Sequence, residues 1–386
     1  MSEDKFKLIW SYRPVDYRTW PSLSSPQRQQ LTLSLGVTTT EIKLWFTNQN
    51  GVTPLTLEHL ILSIIRDEQT IAKLPINFKQ HNKLTLDLDE DAFSDGIVFD
   101  FLAEDQLKVS IDLPKKTYLS SGVVTYSLLG LTLKNTFLKD SEDYPQSTSY
   151  KMVQENPRMS YFFGICGILA KNVDSQVVTM FGDSITQQGF FVNHTRQLLQ
   201  QNQPGHFAVN NCGIGGNRIL YDTDPAMDKW YRHGIAGVKR FEDDVFGLSE
   251  PDLVFVFHGI NDVIQETIHP GEVEAVQDII KGLTKYAEII KKHHAKSLIG
   301  TLLPLRNSIF YSEAIEEKRQ RVNAWIRSQK IYDTVVDLEV SVKDAHEELA
   351  LSQDCDSGDG LHPSDYGGEV IAKTLVASIL ALETNK

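Results

Sequence analysis

Val177-Val178-Thr179-Met180-Phe181-Gly182-Asp183-Ser184-Ile185-Thr186 begins as a run of β-branched and apolar residues and breaks off at Gly-Asp-Ser. Behind it Phe190, Phe191, Leu198 and Leu199 recur at helical spacing. This pattern predicts a buried strand, a tight turn and a helix start. Ser184 then stands where a parallel strand hands over to a helix, with its hydroxyl exposed and backbone N–H groups directed at whatever binds. Two readings of Asp183 and Ser184 are open on this stretch alone. Both residue types cap helices routinely, and a serine at such a turn can also be a nucleophile.

Downstream the same alternation continues. Apolar runs at Phe207–Val209, Asp252–Phe257, Ser297–Leu303 and Thr334–Leu338 read as further strands. Helical patterns lie between them. One carries Val273, Val276, Ile280, Leu283, Ala287 and Ile290, entered past Pro270-Gly271; another starts at Ser312, a candidate N-cap, and runs through Ile315, Val322 and Ile326. A last helix carries Val370, Ile371, Leu375, Ile379 and Leu382. Strands alternating with helices predict an α/β domain built on a doubly wound, parallel five-stranded sheet. Ligands of such sheets gather beyond the carboxyl ends of the strands, near the switch point.

The residues at those ends carry chemistry. Gly182-Asp183-Ser184 follows the first strand, Asn211-Cys212-Gly213-Ile214-Gly215-Gly216-Asn217-Arg218 the second, His258-Gly259-Ile260-Asn261-Asp262 the third and Asp359-Gly360-Leu361-His362-Pro363 the fifth. In strand order 2-1-3-4-5 the second and third loops flank Ser184. That sets a glycine N–H and an asparagine amide beside a candidate nucleophile, which is what an oxyanion hole requires. The Asp-x-x-His spacing lets one short turn offer imidazole to Ser184 and carboxylate to the imidazole. Taken singly, each element has a plainer use. Asn261-Asp262 can be an Asx turn, His362 a helix-entry histidine, Asp359 a loop residue and His258 a structural one. A dinucleotide loop fails at Gly213-x-Gly215, because Arg218 occupies the third glycine position.

Gly182-Asp183-Ser184, Gly213 to Asn217, Gly259 to Asp262 and Asp359 to His362 together resemble the four blocks of the SGNH (GDSL-like) esterase/lipase superfamily. The likeness spans the second half of the chain. The longer signature, GDSIT, GIGGNRIL and GIND behind a β-rich region, is similar to the xylanase-associated arylesterase/acylhydrolase subgroup. The resemblance implies a flavodoxin-like hydrolase fold with Ser184 as nucleophile, Asp359 and His362 completing a triad, and Gly216 and Asn261 as oxyanion donors beside the Ser184 N–H. Gly213, Gly215 and Gly216 crowd one loop. Gly216 is the choice because the family's donor sits before the polar residue closing this loop, here Asn217. The implied activity is that of a serine esterase on small or short-chain carboxylic esters, with no metal or organic cofactor. Other readings are a deacetylase of acetylated sugars, a lysophospholipase or thioesterase, and, in a different class, a non-catalytic carbohydrate-binding protein. Pocket walls are expected from Ile219 to Tyr231, with Trp230, and from Pro304 to Tyr311, with Ile309 and Phe310.

Residues up to about 170 read differently. Leu31, Leu33 and Leu35, then Ile42, Leu44 and Phe46, then Leu84, Leu86 and Leu88, then Leu107, Val109, Ile111 and Leu113 repeat with period two between turn residues such as Asn50-Gly51. These are half-buried antiparallel strands, enough for a β-sandwich, with Tyr161–Leu169 as its last strand. Trp20 and Trp45 are candidates for stacking on sugars, although packing is the more ordinary use. The expected domains are a β-sandwich over 1–174 and the hydrolase over 175–386. Lys171 to Gln176 contains no Gly/Ser or Pro tract and reaches only roughly 20 Å when extended, so the two are expected to lie against each other.

Across the 386 residues the formal charge is −13, which disfavours nucleic acid and anionic membranes as partners. A small-molecule ester remains the expected partner, and oligomeric state is not legible. The start, Met-Ser-Glu-Asp-Lys-Phe-Lys, has no apolar leader and no window approaches a membrane span, so the expected location is cytoplasmic. Cys166, Cys212 and Cys355 lack metal-binding spacing and make no disulfide framework.

Overall fold

The computed structural model describes residues 5–138, 150–223, 233–248, 250–268 and 275–384. Two compact units emerge: the first comprises Met1–Ser175 with Gln203–Ala208, and the second is built from Gln176–Asn202, Val209–Thr223 and His233–Lys386.

The first unit is antiparallel. One array sets Ile97–Phe101, Thr39–Thr47, Ile165–Lys171 and Phe6–Tyr12 side by side. A second orders Leu131–Phe137, Gln27–Ser34, Gln106–Leu113, Leu55–Arg66 and Gln69–Pro75. Period two sets the register of the second array. Leu33 lies opposite both Leu107 and Leu131, and Leu31 opposite Val109, so all five side chains are buried on one face. The arrays are joined by a buried polar contact. The Gln29 side-chain amide donates to the Phe163 carbonyl and accepts the Phe163 N–H, both at 3.0 Å, which satisfies the backbone where one strand ends.

One sequence expectation changes here, and the packing use expected of Trp45 holds. Tyr161–Leu169 is not one strand but two, Ser160–Phe162 and Ile165–Lys171. Trp45 is buried, with the Arg13 guanidinium 5.5 Å from its ring centre, and is not available for stacking on a ligand.

The second unit is α/β. Its strands are β1 (Gln176–Gly182), β2 (Phe207–Gly213, of which Val209 onward belongs to this unit), β3 (Leu253–Phe257), β4 (Lys296–Gly300) and β5 (Thr334–Val336). They lie in the order β2-β1-β3-β4-β5, and β1–β3, β3–β4 and β4–β5 pair in parallel. Parallel strands covered on both faces read as unbroken apolar runs. Val177, Val178, Met180 and Phe181 are all buried accordingly.

The helices of this unit are α1 (Ser184–Gln187), α2 (Phe190–Asn202), α3 (Gly237–Phe246), α4 (Ile260–Ile268), α5 (Val276–Lys292), α6 (Glu313–Ser328), α7 (Leu338–Val342) and α8 (Asp365–Thr384). Phe181, Val254, Val256 and Ile299 pack on one face with Phe241 of α3, Leu283 and Ile290 of α5, and Val322 of α6. On the opposite face the ring of Phe191, in α2, lies 6.0 Å from that of Phe255 and 5.8 Å from that of Phe257; α8 packs against α2. Ser312 caps α6, its hydroxyl accepting the Ile315 N–H at 3.2 Å. Helix α5 starts at Val276; the expected Val273 lies outside the described residues.

No helix among the described residues is long and apolar enough to cross a membrane.

Candidate active site

At the carboxyl end of β1 the chain turns into α1. The Asp183 carboxylate accepts the Ile185 N–H at 3.1 Å, capping the helix, and leaves Ser184 as its first residue. Cap and candidate nucleophile are therefore adjacent residues with separate tasks. Burial pushes the Asp183 carboxyl up to about 6; the Ile185 N–H and the charges of His362 and Arg240 pull the other way.

His362 reaches Ser184 from the loop before α8. The Ser184 hydroxyl and His362 Nε2 are 2.8 Å apart, and His362 Nδ1 is 2.7 Å from Asp359 Oδ2. The loop is knit from within. Asp356 Oδ1 accepts the N–H groups of Gly358, Asp359 and Gly360, and the Ser357 N–H donates to the His362 carbonyl. Asp359 Oδ1 takes the backbone N–H groups of Leu361 and His362 at 3.0 and 2.8 Å, which turns Oδ2 toward the imidazole. Partial burial raises the Asp359 carboxyl, but the imidazole and those N–H groups outweigh it and hold it well below the usual carboxylate range. Gly360, at φ +70°, lies so close to the backbone of Asn307 and Ser308 that a Cβ would stand 2.3 Å from Asn307 C. The loop after β4 thus supports the loop that carries His362.

The loop after β2 lies beside Ser184. Ile214 to Asn217 form a turn closed by the Asn217 N–H on the Ile214 carbonyl, with Gly216 at φ +73° as its third residue, a position that demands a left-handed backbone. Three glycines crowd this loop, and their N–H groups have different partners. That of Gly213 donates to Asn211 Oδ1 and that of Gly215 to Gln187 Oε1; the Gly216 N–H has no acceptor among the described residues.

Asn261 stands in the first turn of α4. Its Nδ2 donates one hydrogen to the Asn217 carbonyl at 3.0 Å. The same carbonyl receives His258 Nε2–H at 3.0 Å, while His258 Nδ1 accepts the Tyr286 hydroxyl. Burial, with the Arg240 charge adding to it, drives His258 down to about 3 against the opposing pull of the Asn217 carbonyl, so the ring is neutral.

The structure brings together Ser184, Asp359 and His362, and links the Gly216 turn to Asn261 through Asn217. It also reveals residues that sequence reasoning passed over. Asp262 is fully buried and accepts the N–H groups of Ile219 and Leu220, clamping the chain beyond Gly216. Gln187 holds Gly215, and the ring of His233 covers Gly216. Ile219 is core rather than pocket wall, because Asp262 draws its backbone inward. Trp230 and Tyr231 lie outside the described residues. Ile309, in contrast, is 90% exposed. Among the described residues no group of His, Cys, Asp and Glu is arranged to hold a metal ion.

The model of the GDSL-like lipase/acylhydrolase family matches residues 180–370, an interval that contains Ser184, Gly216, Asn261, Asp359 and His362. The second half of the chain belongs to this family. The GDSL-like domain makes the protein a carboxylic ester hydrolase. Solved structures similar to it include an acetyl xylan esterase (22% identity over 53% of this chain and 99% of that one, TM-score 0.40). Others are a GDSL-like lipase from Bacteroides thetaiotaomicron (22%, 53% and 89%, TM-score 0.38) and an acetylxylan esterase from Geobacillus stearothermophilus (20%, 54% and 95%, TM-score 0.41). No curated protein matches the chain.

Proposed function

We propose that the protein is a serine esterase for small or short-chain carboxylic esters, with Ser184 as nucleophile. His362 Nε2 takes the Ser184 proton as Oγ attacks the ester carbonyl. The tetrahedral oxyanion is held by the N–H groups of Ser184 and Gly216 and by the second Nδ2 hydrogen of Asn261. His362 then gives its proton to the departing alcohol. Water then gives a proton to the same nitrogen as it attacks the acyl carbonyl; the bond to Ser184 Oγ breaks, and His362 returns that proton to Ser184 as the acid leaves. Asp359 holds the ring with Nδ1–H toward itself, so that Nε2 is the basic nitrogen, and stabilises the imidazolium.

The observation that carries this reading is the unbroken relay of Ser184 Oγ, His362 Nε2 at 2.8 Å, and His362 Nδ1 with Asp359 Oδ2 at 2.7 Å. Apart from the N–H of Ser184 itself, its proposed donors are those left with a free hydrogen among the described residues: Gly216 among three glycines, and the second hydrogen of Asn261. The preference for small acyl groups rests on openness. The side chain of Asp359 is 45% exposed and that of His362 21%, which suits an ester presented at the surface better than a long chain threaded into a dry channel. The same openness favours an acetyl group on a bulky polar alcohol as the second reading. In architecture, we read 1–174 as an antiparallel β-sandwich and 175–386 as a doubly wound five-stranded hydrolase domain.

The test is kcat/KM over p-nitrophenyl esters of increasing acyl length, alongside acetylated oligosaccharides. Activity highest at acetyl to butyryl supports the reading; activity rising toward long acyl chains, or absent throughout, defeats it.

A further inference from the structure

We propose that Arg240 is a positioning residue that holds the oxyanion loop in register with the nucleophile, acting through Asn217. The inference rests on the catalytic reading above and adds to it the part that fixes the distance between its two halves.

Arg240 lies on α3 and is buried, with 4% exposure. Its planar guanidinium spends its donors on four acceptors from three separate segments. Nη2 donates to the Gly182 carbonyl at 2.8 Å, the last residue of β1 and two before Ser184. Nη1 donates to the Cys212 carbonyl at 3.0 Å, near the end of β2, and to the Asp244 carboxylate one turn along its own helix. Nε donates to Asn217 Oδ1 at 2.9 Å. The guanidinium carbon sits 4.1 Å from the centre of the Phe181 ring, one residue earlier on β1. One rigid fork therefore ties the strand that ends in the nucleophile to the turn that presents Gly216. Lysine has the charge but not the fork.

Asn217 passes the constraint on. Its Nδ2 donates to the carbonyls of His233 and Ile235, its Oδ1 is held by Arg240, and its own carbonyl receives Asn261 Nδ2–H. With side chain and backbone both fixed, the Asn217 carbonyl sets which way the Asn261 amide faces. It thereby aims the remaining Asn261 hydrogen. Because the oxyanion exists only in the transition state, a loop that drifts by a fraction of an ångström costs turnover rather than ground-state binding.

The experiment is a double-mutant cycle on the full chain with a short-chain p-nitrophenyl ester, crossing Arg240→Lys with Asn261→Ala. Arg240→Lys alone should lower kcat roughly ten- to a hundredfold with KM changed less than about threefold. The pH at which kcat/KM rises should not move, since the relay of Ser184, His362 and Asp359 is untouched. In the Asn261→Ala background the same substitution should cost clearly less than it does alone, because one of the two donors it positions is gone and only the Gly216 N–H remains to be misplaced. If Arg240→Lys does not fold, Asn217→Ala cuts the same link from the other end and replaces it in the cycle, with the same expected coupling. Effects that multiply in full, or that fall on KM alone, overturn the proposal and make Arg240 a packing residue. Ser184→Ala is run in parallel. If it retains turnover, the catalytic reading has failed and takes this inference with it. If it is inactive and the cycle still multiplies, only the role of Arg240 is wrong.

Discussion

Asp183→Asn should make the protein's stability less sensitive to alkali. In the native state burial raises the Asp183 carboxyl from 3.8 to about 6. The folded protein therefore holds this proton more tightly than the unfolded chain does. The stability associated with that proton is fully present below 3.8 and is lost as pH rises through about 6. Integrating the two titrations from pH 4 to pH 8 gives a loss of about 2.5 kcal/mol, at about 1.4 kcal/mol per pKa unit. Asparagine cannot ionise, yet its side-chain oxygen can still accept the Ile185 N–H that Asp183 now receives. Any fixed cost of its extra N–H groups is the same at every pH and cancels from the trend. The assay is urea unfolding of both proteins at unit steps from pH 4 to pH 8, with the stability difference plotted against pH. That difference should move in favour of the variant by about 2.5 kcal/mol as pH rises. A flat difference, or one moving in favour of the wild type, would refute the argument from burial.

Asn261→Ala should cut kcat by about a hundredfold or more with little change in KM; an effect confined to KM would remove Asn261 from the oxyanion hole. Asp359→Asn should lower kcat by about three to four orders of magnitude while the fold survives, because the amide offers a hydrogen where His362 Nδ1–H needs an acceptor. Steady-state kinetics with circular dichroism separates that loss from unfolding. Ser312→Ala should destabilise the protein by about 1 kcal/mol through loss of the α6 cap without changing KM, as read by thermal melts and ester hydrolysis on the same samples.

The elements that the sequence made legible are those where chain position and chemistry coincide. Ser184 follows an apolar run, and His362 follows Asp359 at a spacing that only a tight turn satisfies; both facts are local. Arg240 carries no such mark. It sits among Lys239, Glu242, Asp243 and Asp244 on an amphipathic helix, and only the tertiary fold turns it toward the ends of β1 and β2. Asp262 reads as an ordinary first-turn acid until Ile219 and Leu220 are seen above it. Leu55–Arg66 escaped period-two reading because much of the strand is buried on both faces, so its apolar residues do not alternate. Tyr161–Leu169 is apolar throughout, but composition does not reveal that the backbone leaves one strand and begins another around Phe163 and Gly164.

The central claim is that Ser184 is the nucleophile. The protein and its Ser184→Ala variant would be treated with an activated serine-directed phosphonate, digested and mapped by mass spectrometry, with p-nitrophenyl acetate hydrolysis measured on the same preparations. The account predicts one adduct, on the peptide containing Ser184, loss of hydrolysis in proportion to labelling, and a variant that is folded, unlabelled and inactive. Turnover retained by the variant, or inactivation through a residue other than Ser184, would contradict it.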